Sequence, residues 1–265
     1  MNHKIATLLT DFGTRDYFVA AMKGALLSVA PNAVIVDVTH DIPPHDIHAG
    51  AWTLANSYHS FPPGTVHVGV VDPGVGSARR AIAVRAGDHI FVGPDNGLFT
   101  RIYECDARIE VVELTNTKFF RNDVSHTFHG RDVFAPVAGA LLNGVKLSDL
   151  GEELSDYVRL ALPCVERADD GALTARVIHV DHFGNLITNL TRVDLPHDRD
   201  DKHLTFEIGG RRIAGVRETF SDGVSNELFV VWGSAGNLEI VAARASAARL
   251  LGVERGALLT ILKAT

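Results

Sequence analysis

Three short stretches of this 265-residue chain gather acids, bases and cations where chemistry can be done. In Val70-Val71-Asp72-Pro73-Gly74-Val75-Gly76-Ser77-Ala78-Arg79 an apolar strand runs into a carboxylate, a glycine-rich bend and then a guanidinium. Thr127-Phe128-His129-Gly130-Arg131-Asp132 opens a later helix, and Asp181-His182-Phe183-Gly184-Asn185 follows another apolar strand. A strand ending in Asp-Pro-Gly puts its charge at the edge of a sheet, where α/β proteins bind ligands. An Asp, an Arg and a His that converge there can polarise a water. The carboxylate takes its proton, and the cations favour the developing hydroxide. Asp-Pro-Gly is also a common turn former, and spacing alone leaves both readings of Asp72 open.

Asp11 and Asp16 carry the same ambiguity. Asp11 lies in Thr10-Asp11-Phe12-Gly13-Thr14, where a strand turns toward a helix, and Asp16 is near that helix's amino terminus. Structurally they are a turn former and a helix cap; chemically they are groups for hydroxyls or a cation. His40-Asp41-Ile42-Pro43-Pro44-His45-Asp46-Ile47-His48 has the ligand types of a metal site. Its prolines keep the middle extended, and neither His-Glu-x-x-His nor paired-cysteine spacing occurs, so surface or capping roles fit better and no metal is expected. Gly74-Val75-Gly76 lacks the third glycine and immediate helix of a dinucleotide fingerprint, and no cofactor is expected.

The elements that must position these residues are legible as alternating periods. Ile5 to Thr10, Ala33 to Val38, Thr65 to Val71, Ala81 to Val84, His89 to Val92 and Ile109 to Leu114 read as strands. Phe18, Met22, Leu26 and Val29 recur at helical spacing before Pro31-Asn32, and Asp46 to Tyr58 and Asp132 to Asn143 are further helices. In the last of these Pro136 is tolerable only near the first turn, and Gly144 is a carboxyl-terminal cap. This alternation predicts an α/β domain over residues 1–162 with a largely parallel sheet. Leu160 to Gly171 reads as a linker. Beyond it Leu173 to Val180, Leu204 to Ile208, Leu228 to Trp232 and Leu238 to Val241 read as strands and Ser246 to Leu251 as one short helix, predicting a smaller β-rich domain over 172–265.

A net charge of −7 without any block of Lys or Arg speaks against a nucleic-acid or anionic-membrane partner. No apolar run approaches the roughly 20 residues that span a bilayer. Met1-Asn2-His3-Lys4 leads straight into a strand-like run, unlike a signal peptide, and Cys105 and Cys164 have no metal or redox spacing. These features predict a cytoplasmic protein with free thiols and a small-molecule substrate.

Five stretches together resemble the S-adenosylmethionine (SAM) hydroxide adenosyltransferase family, relatives of the bacterial fluorinase and chlorinase. They are Thr10-Asp11-Phe12-Gly13, Val71-Asp72-Pro73-Gly74-Val75-Gly76, Pro94-Asp95-Asn96-Gly97-Leu98, His129-Gly130-Arg131-Asp132 and Asp181-His182-Phe183-Gly184-Asn185-Leu186. Their order is kept over nearly the whole chain. The resemblance implies a larger amino-terminal α/β domain, a smaller β domain, and a homotrimer with active sites between subunits. It implies attack of water on C5′ of SAM, giving adenosine and methionine. By the same resemblance Asp72, Arg79 and His129 hold the attacking water, Asp11 grips the ribose hydroxyls and Asp16 lies near the methionine amine. Asp181, Phe183 and Asn185 match methionine and adenosine contacts, Phe220 an adenine-stacking aromatic, and Ser234 a group beside the amino-acid end. The halogenating relatives carry tyrosine where Asp72 stands and the fluorinase a serine where Gly130 stands, which favours hydroxide over halide. Ala242 and Ala243 stand where relatives carry polar residues. The rival expectations are a halide-using adenosyltransferase, a metal-dependent hydrolase built on the His40 to His48 run, and a nucleoside-binding module without catalysis.

Overall fold

Both faces of the first sheet are covered by helices, and its strands accordingly read as near-continuous apolar runs. The computed structural model describes residues 4–105, 108–169, 171–195, 204–220 and 223–262. The chain divides into two compact units, Met1–Leu160 and Ala161–Thr265.

In the first unit β1 (Ile5–Thr10) leads to α1 (Phe18–Val29), β2 (Val34–Thr39), α2 (Ile47–Ser57) and β3 (Val66–Val70). Then come β4 (Ala81–Ala86), β5 (His89–Pro94), α3 (Thr100–Cys105), β6 (Ile109–Glu113) and α4 (Ala135–Leu142). The strand order is β2-β1-β3-β5-β4-β6. The first four are parallel, whereas β4 is antiparallel to both neighbours. The hairpin from β4 to β5 supplies this reversal, so the expected parallel sheet carries an antiparallel extension at one side. Met22 and Leu26 of α1 and Val137 and Leu141 of α4 pack with Ala6, Leu8, Val68 and Val70 on one face. Ala49 and Leu54 of α2 and Ile102 and Tyr103 of α3 pack with Leu9, Val71, Val84 and Phe91 on the other.

Helix starts differ in how they are capped. Asp46 caps α2 by accepting from Ala49 N at 3.0 Å. The cap of α1 is Tyr17, which makes no side-chain cap bond, so Asp16 does not have the capping role its position suggests. The helix expected over Asp132 to Asn143 begins instead as a wide π turn, Gly130–Phe134, that passes directly into α4. Pro136 sits in the first turn of α4, directly after the π turn.

The second unit contains β7 (Glu166–Arg167), β8 (Leu173–Val180), β9 (Leu186–Thr191), β10 (Thr205–Ile208), β11 (Arg211–Ala214) and β12 (Val216–Arg217). They are followed by β13 (Leu228–Trp232), β14 (Asn237–Ala242), α5 (Ala247–Leu251) and β15 (Leu258–Leu262). Its sheet runs β11-β10-β15-β8-β9-β14-β13-β12, with β7 added on β8, and all pairings except β12 with β13 are antiparallel. Leu173, Ala175, Phe206, Ile240 and Ile261 lie in its core. The expected linker is partly structural: Glu166 and Arg167 pair with β8, and Val165 packs on the core.

Candidate functional site

Parallel pairing sets Thr10 beside Val70, so the carboxyl ends of β1 and β3 are neighbours. The chain passes outward from β1 to β2 and crosses back to β3, so strand order reverses at this point. In α/β sheets ligands bind beyond the strand ends at such a switch point, and Asp11 and Asp72 lie in the loops that follow β1 and β3.

The loop after β3 folds on itself. Val75 N donates to Asp72 O at 3.2 Å, Ser77 N to Gly74 O at 3.1 Å, and Arg79 N to Ser77 Oγ at 3.2 Å. These turns return Arg79 to Asp72. Arg79 Nε donates to Asp72 Oδ1 at 3.0 Å and Nη2 donates to Oδ2 at 2.5 Å, a two-pronged fork on one carboxylate. The pair is withdrawn from solvent, with side-chain exposures of 4% for Asp72 and 10% for Arg79. Gly76 has φ +77°, and a Cβ there would lie 2.3 Å from His126 O, so the bend demands glycine.

His129 completes the group. Arg79 Nη2 donates to its Nδ1 at 2.8 Å, and the Arg79 guanidinium lies 5.3 Å from the centre of the Phe134 ring. A guanidinium only donates, so Nδ1 accepts and the neutral ring carries its proton on Nε2. Burial and then the Arg79 charge hold the His129 pKa below its ordinary value, consistent with a neutral imidazole. The segment before His129 is fixed by Asp132, which accepts from Ser125 N at 3.0 Å and from Arg131 Nε at 2.6 Å. Burial pushes the Asp132 carboxyl up, but these donors outweigh it and its pKa is lowered. The structure thus brings Asp72, Arg79 and His129 together as one hydrogen-bonded unit, a convergence that spacing left open.

Asp11 has a structural duty as well: its Oδ2 accepts from His45 N at 2.8 Å, where His45 takes φ 66°. The neighbouring Phe12 ring meets Phe128 edge to face at 6.0 Å, joining the Asp11 loop to the segment before His129. Asp16 is exposed and stands outside the Asp72 group. In the His40 to His48 run, buried His40 meets Thr10 Oγ1 through Nδ1 at 2.9 Å, and Asp46 caps α2. Among the described residues no three His, Cys, Asp or Glu side chains gather as a metal-binding set.

In the second unit a pocket of about 740 Å³ is lined by Asp181, Phe183, Asn185, Phe220 and Ser234, all five residues expected there. Asp181 accepts from Phe183 N at 2.9 Å, Asn185 N at 2.8 Å and Asn185 Nδ2 at 2.8 Å, so its carboxylate organises the turn that presents Phe183 and Asn185. Gly184, at φ +84°, lets this turn lie against Ser246, whose Oγ would be 2.0 Å from a Cβ. Phe183 is 74% exposed and Phe220 56% exposed, two aromatic faces for a planar ligand. Glu239, Arg244 and Arg249 also line the pocket and were missed from sequence. Glu239 had a signal, an acid inside the apolar run Leu238-Glu239-Ile240-Val241. Burial, with a smaller contribution from Asp181, raises its pKa.

Among the described residues no helix is long and apolar enough to cross a membrane, and Cys105 and Cys164 are free and exposed. Residues 6–151 match the SAM hydroxide adenosyltransferase N-terminal domain, and residues 175–260 match the C-terminal domain of the same name. The chain is 44% identical over 251 residues to an (R)-S-adenosyl-L-methionine hydrolase of Salinispora tropica, covering 93% of each chain. A fluorinase of Actinoplanes sp. is 34% identical over 217 residues, covering 72% of this chain and 73% of the fluorinase. A crystal structure of an uncharacterized conserved protein from Thermotoga maritima superposes with a TM-score of 0.87 at 33% identity, covering 98% of this chain and 100% of that one. With both family domains matched in order around these two groups of residues, the chain belongs to the SAM hydroxide adenosyltransferase family.

Proposed function

We propose that this protein hydrolyses SAM to adenosine and L-methionine by in-line attack of water at C5′. The observation that carries the reading is the hydrogen-bonded Asp72–Arg79–His129 unit at the sheet's switch point. The bond from C5′ to sulfur breaks and the bond from C5′ to the water oxygen forms. Methionine leaves as a neutral thioether, so no acid is needed for departure. The demand falls on placing and stripping the nucleophile. Asp72 is the base: Arg79 donates once to Oδ1 and twice to Oδ2, so a lone pair on Oδ1 is left to take the water's proton. His129 Nε2–H orients the water oxygen, and the Arg79 charge stabilises the hydroxide that develops. A carboxylate at this position repels halide, which separates this chain from halide-using relatives.

Asp11 holds the ribose hydroxyls and Asp16 the methionine amine, while Phe183, Phe220 and Asn185 hold the adenine and Asp181 and Ser234 the amino-acid end. With Asp181 and Glu239 as acids and Arg244 and Arg249 as cations, the pocket offers both signs of charge to an ammonium and a carboxylate at the amino-acid end. The two regions act as an amino-terminal α/β domain, residues 1–162, and a carboxyl-terminal β domain, residues 172–265. The protein works in the cytoplasm as a homotrimer with active sites between subunits, and light scattering reads the trimer.

Incubating the protein with SAM, with and without chloride and with and without chelator, tests the reaction when products are separated with mass detection. Adenosine and methionine in every condition are expected. A halogenated nucleoside would move the reading to halide transfer, loss of activity on chelation to a metal hydrolase, and unconsumed SAM to binding alone.

A further inference from the structure

The motif Pro94-Asp95-Asn96-Gly97-Leu98 has no role in the chemistry above, yet it lies where β5 ends beside β3 and β4. Its two polar side chains face opposite ends of the Asp72 loop. At the entry, Asn96 Nδ2 donates to Val71 O at 2.8 Å, the carbonyl immediately before Asp72. Val71 is fully buried and β3 has ended at Val70. Asn96 Oδ1 accepts from Leu98 N at 3.2 Å, which fixes the amide's orientation.

At the exit, Asp95 N donates to Arg80 O at 2.9 Å, and Asp95 Oδ2 accepts from Arg80 Nε at 2.9 Å. Asp95 Oδ1 is anchored by Val158 N at 2.7 Å, and its side chain is 1% exposed. Arg80 also donates from Nη1 to Asp156 Oδ1 at 2.7 Å and from Nη2 to Asp156 O at 2.8 Å. The residue after Arg79 is therefore held from both its backbone and its side chain.

We propose that Asp95 and Asn96 are positioning residues, a clamp that grips both ends of the Asp72 to Arg79 loop and sets the geometry of the Asp72–Arg79–His129 unit. The proposal rests on the reading of that unit as the water-activating group. Neither residue touches the reacting atoms. Their effect passes through the loop, because a shift of Val71 carries Asp72 and a shift of Arg80 carries Arg79. Arg79 bonds both Asp72 and His129, so a small displacement is felt by all three groups.

The test is a double-mutant cycle with a second readout of the loop itself. Asn96→Ala should lower kcat for SAM hydrolysis about tenfold while SAM Kd stays within about twofold, and in an Asp72→Asn background it should change kcat less than about twofold. In hydrogen exchange by mass spectrometry, the segment 72–80 should exchange faster in Asn96→Ala than in the wild type, with the rest of the unit unchanged. Equal losses of kcat in both backgrounds, or unaltered exchange over 72–80, would overturn the clamp. If Asn96→Ala does not fold, Asp95→Asn removes the ionic grip on Arg80 while keeping an acceptor for Val158 N, and the same two readouts apply. A wild type that leaves SAM unconsumed would remove the functional reading, while the exchange measurement still decides the clamp.

Discussion

The Asp72 carboxylate is held by a guanidinium that also holds a histidine, and this sharing sets what single substitutions do. Asp72→Asn keeps the shape but removes the proton acceptor. Turnover should fall about a hundredfold or more while SAM binding measured by calorimetry is kept, as expected for loss of a general base. Full turnover in this variant would remove Asp72 from the mechanism. Asp72 and Asp11 were both ambiguous in sequence, because the same residue type forms turns and does chemistry. Tertiary contacts separate the two: Asp72 faces Arg79, whereas Asp11 spends one oxygen on the backbone of His45.

At the scale of elements, the site depends on loops whose backbone admits few residues. Gly76→Ala places a side chain at positive φ and against His126 O, so stability should fall by about 1–3 kcal/mol with kcat falling too. Urea unfolding and steady-state assay measure both, and an unchanged midpoint with unchanged kcat would contradict this account of the bend. Long strands were legible because burial imposes apolar runs, and β1, β8 and β13 span the residues expected. The six residues of α3 are too few to show a period, β9 follows its turn without a break, and the two-residue strands β7 and β12 owe their existence to partners.

The first unit as a whole carries a pH dependence remote from the Asp72 group. Buried His67 contacts Thr7 Oγ1 at 2.7 Å through Nδ1 and His89 Nδ1 at 3.2 Å through Nε2. Burial, with a smaller push from His89, lowers its pKa to about 3. The unfolded chain takes up this proton near pH 6.5, whereas the folded protein resists it until about 3. This contribution to stability is therefore intact above pH 6.5 and is lost as pH falls toward 3, by about 1.4 kcal/mol for each pH unit within that window. Urea midpoints from pH 7 to pH 4 measure it. His67→Gln should flatten the slope, and a variant as acid-sensitive as the wild type would place the effect elsewhere.

The sequence by itself determined the alternation of strands and helices, the apolar faces and the five ordered motifs, because burial periodicity and turn chemistry are written locally in residue types. It also carried the resemblance that the two family domains bear out. Only the tertiary structure decided which polar residues meet. His129 is fifty positions from Arg79, Val71 is twenty-five from Asn96, and Glu239 enters the pocket of Asp181 from another strand. Such pairings follow from strand order and register, and these are set by how the whole sheet buries its faces rather than by any short stretch of chain.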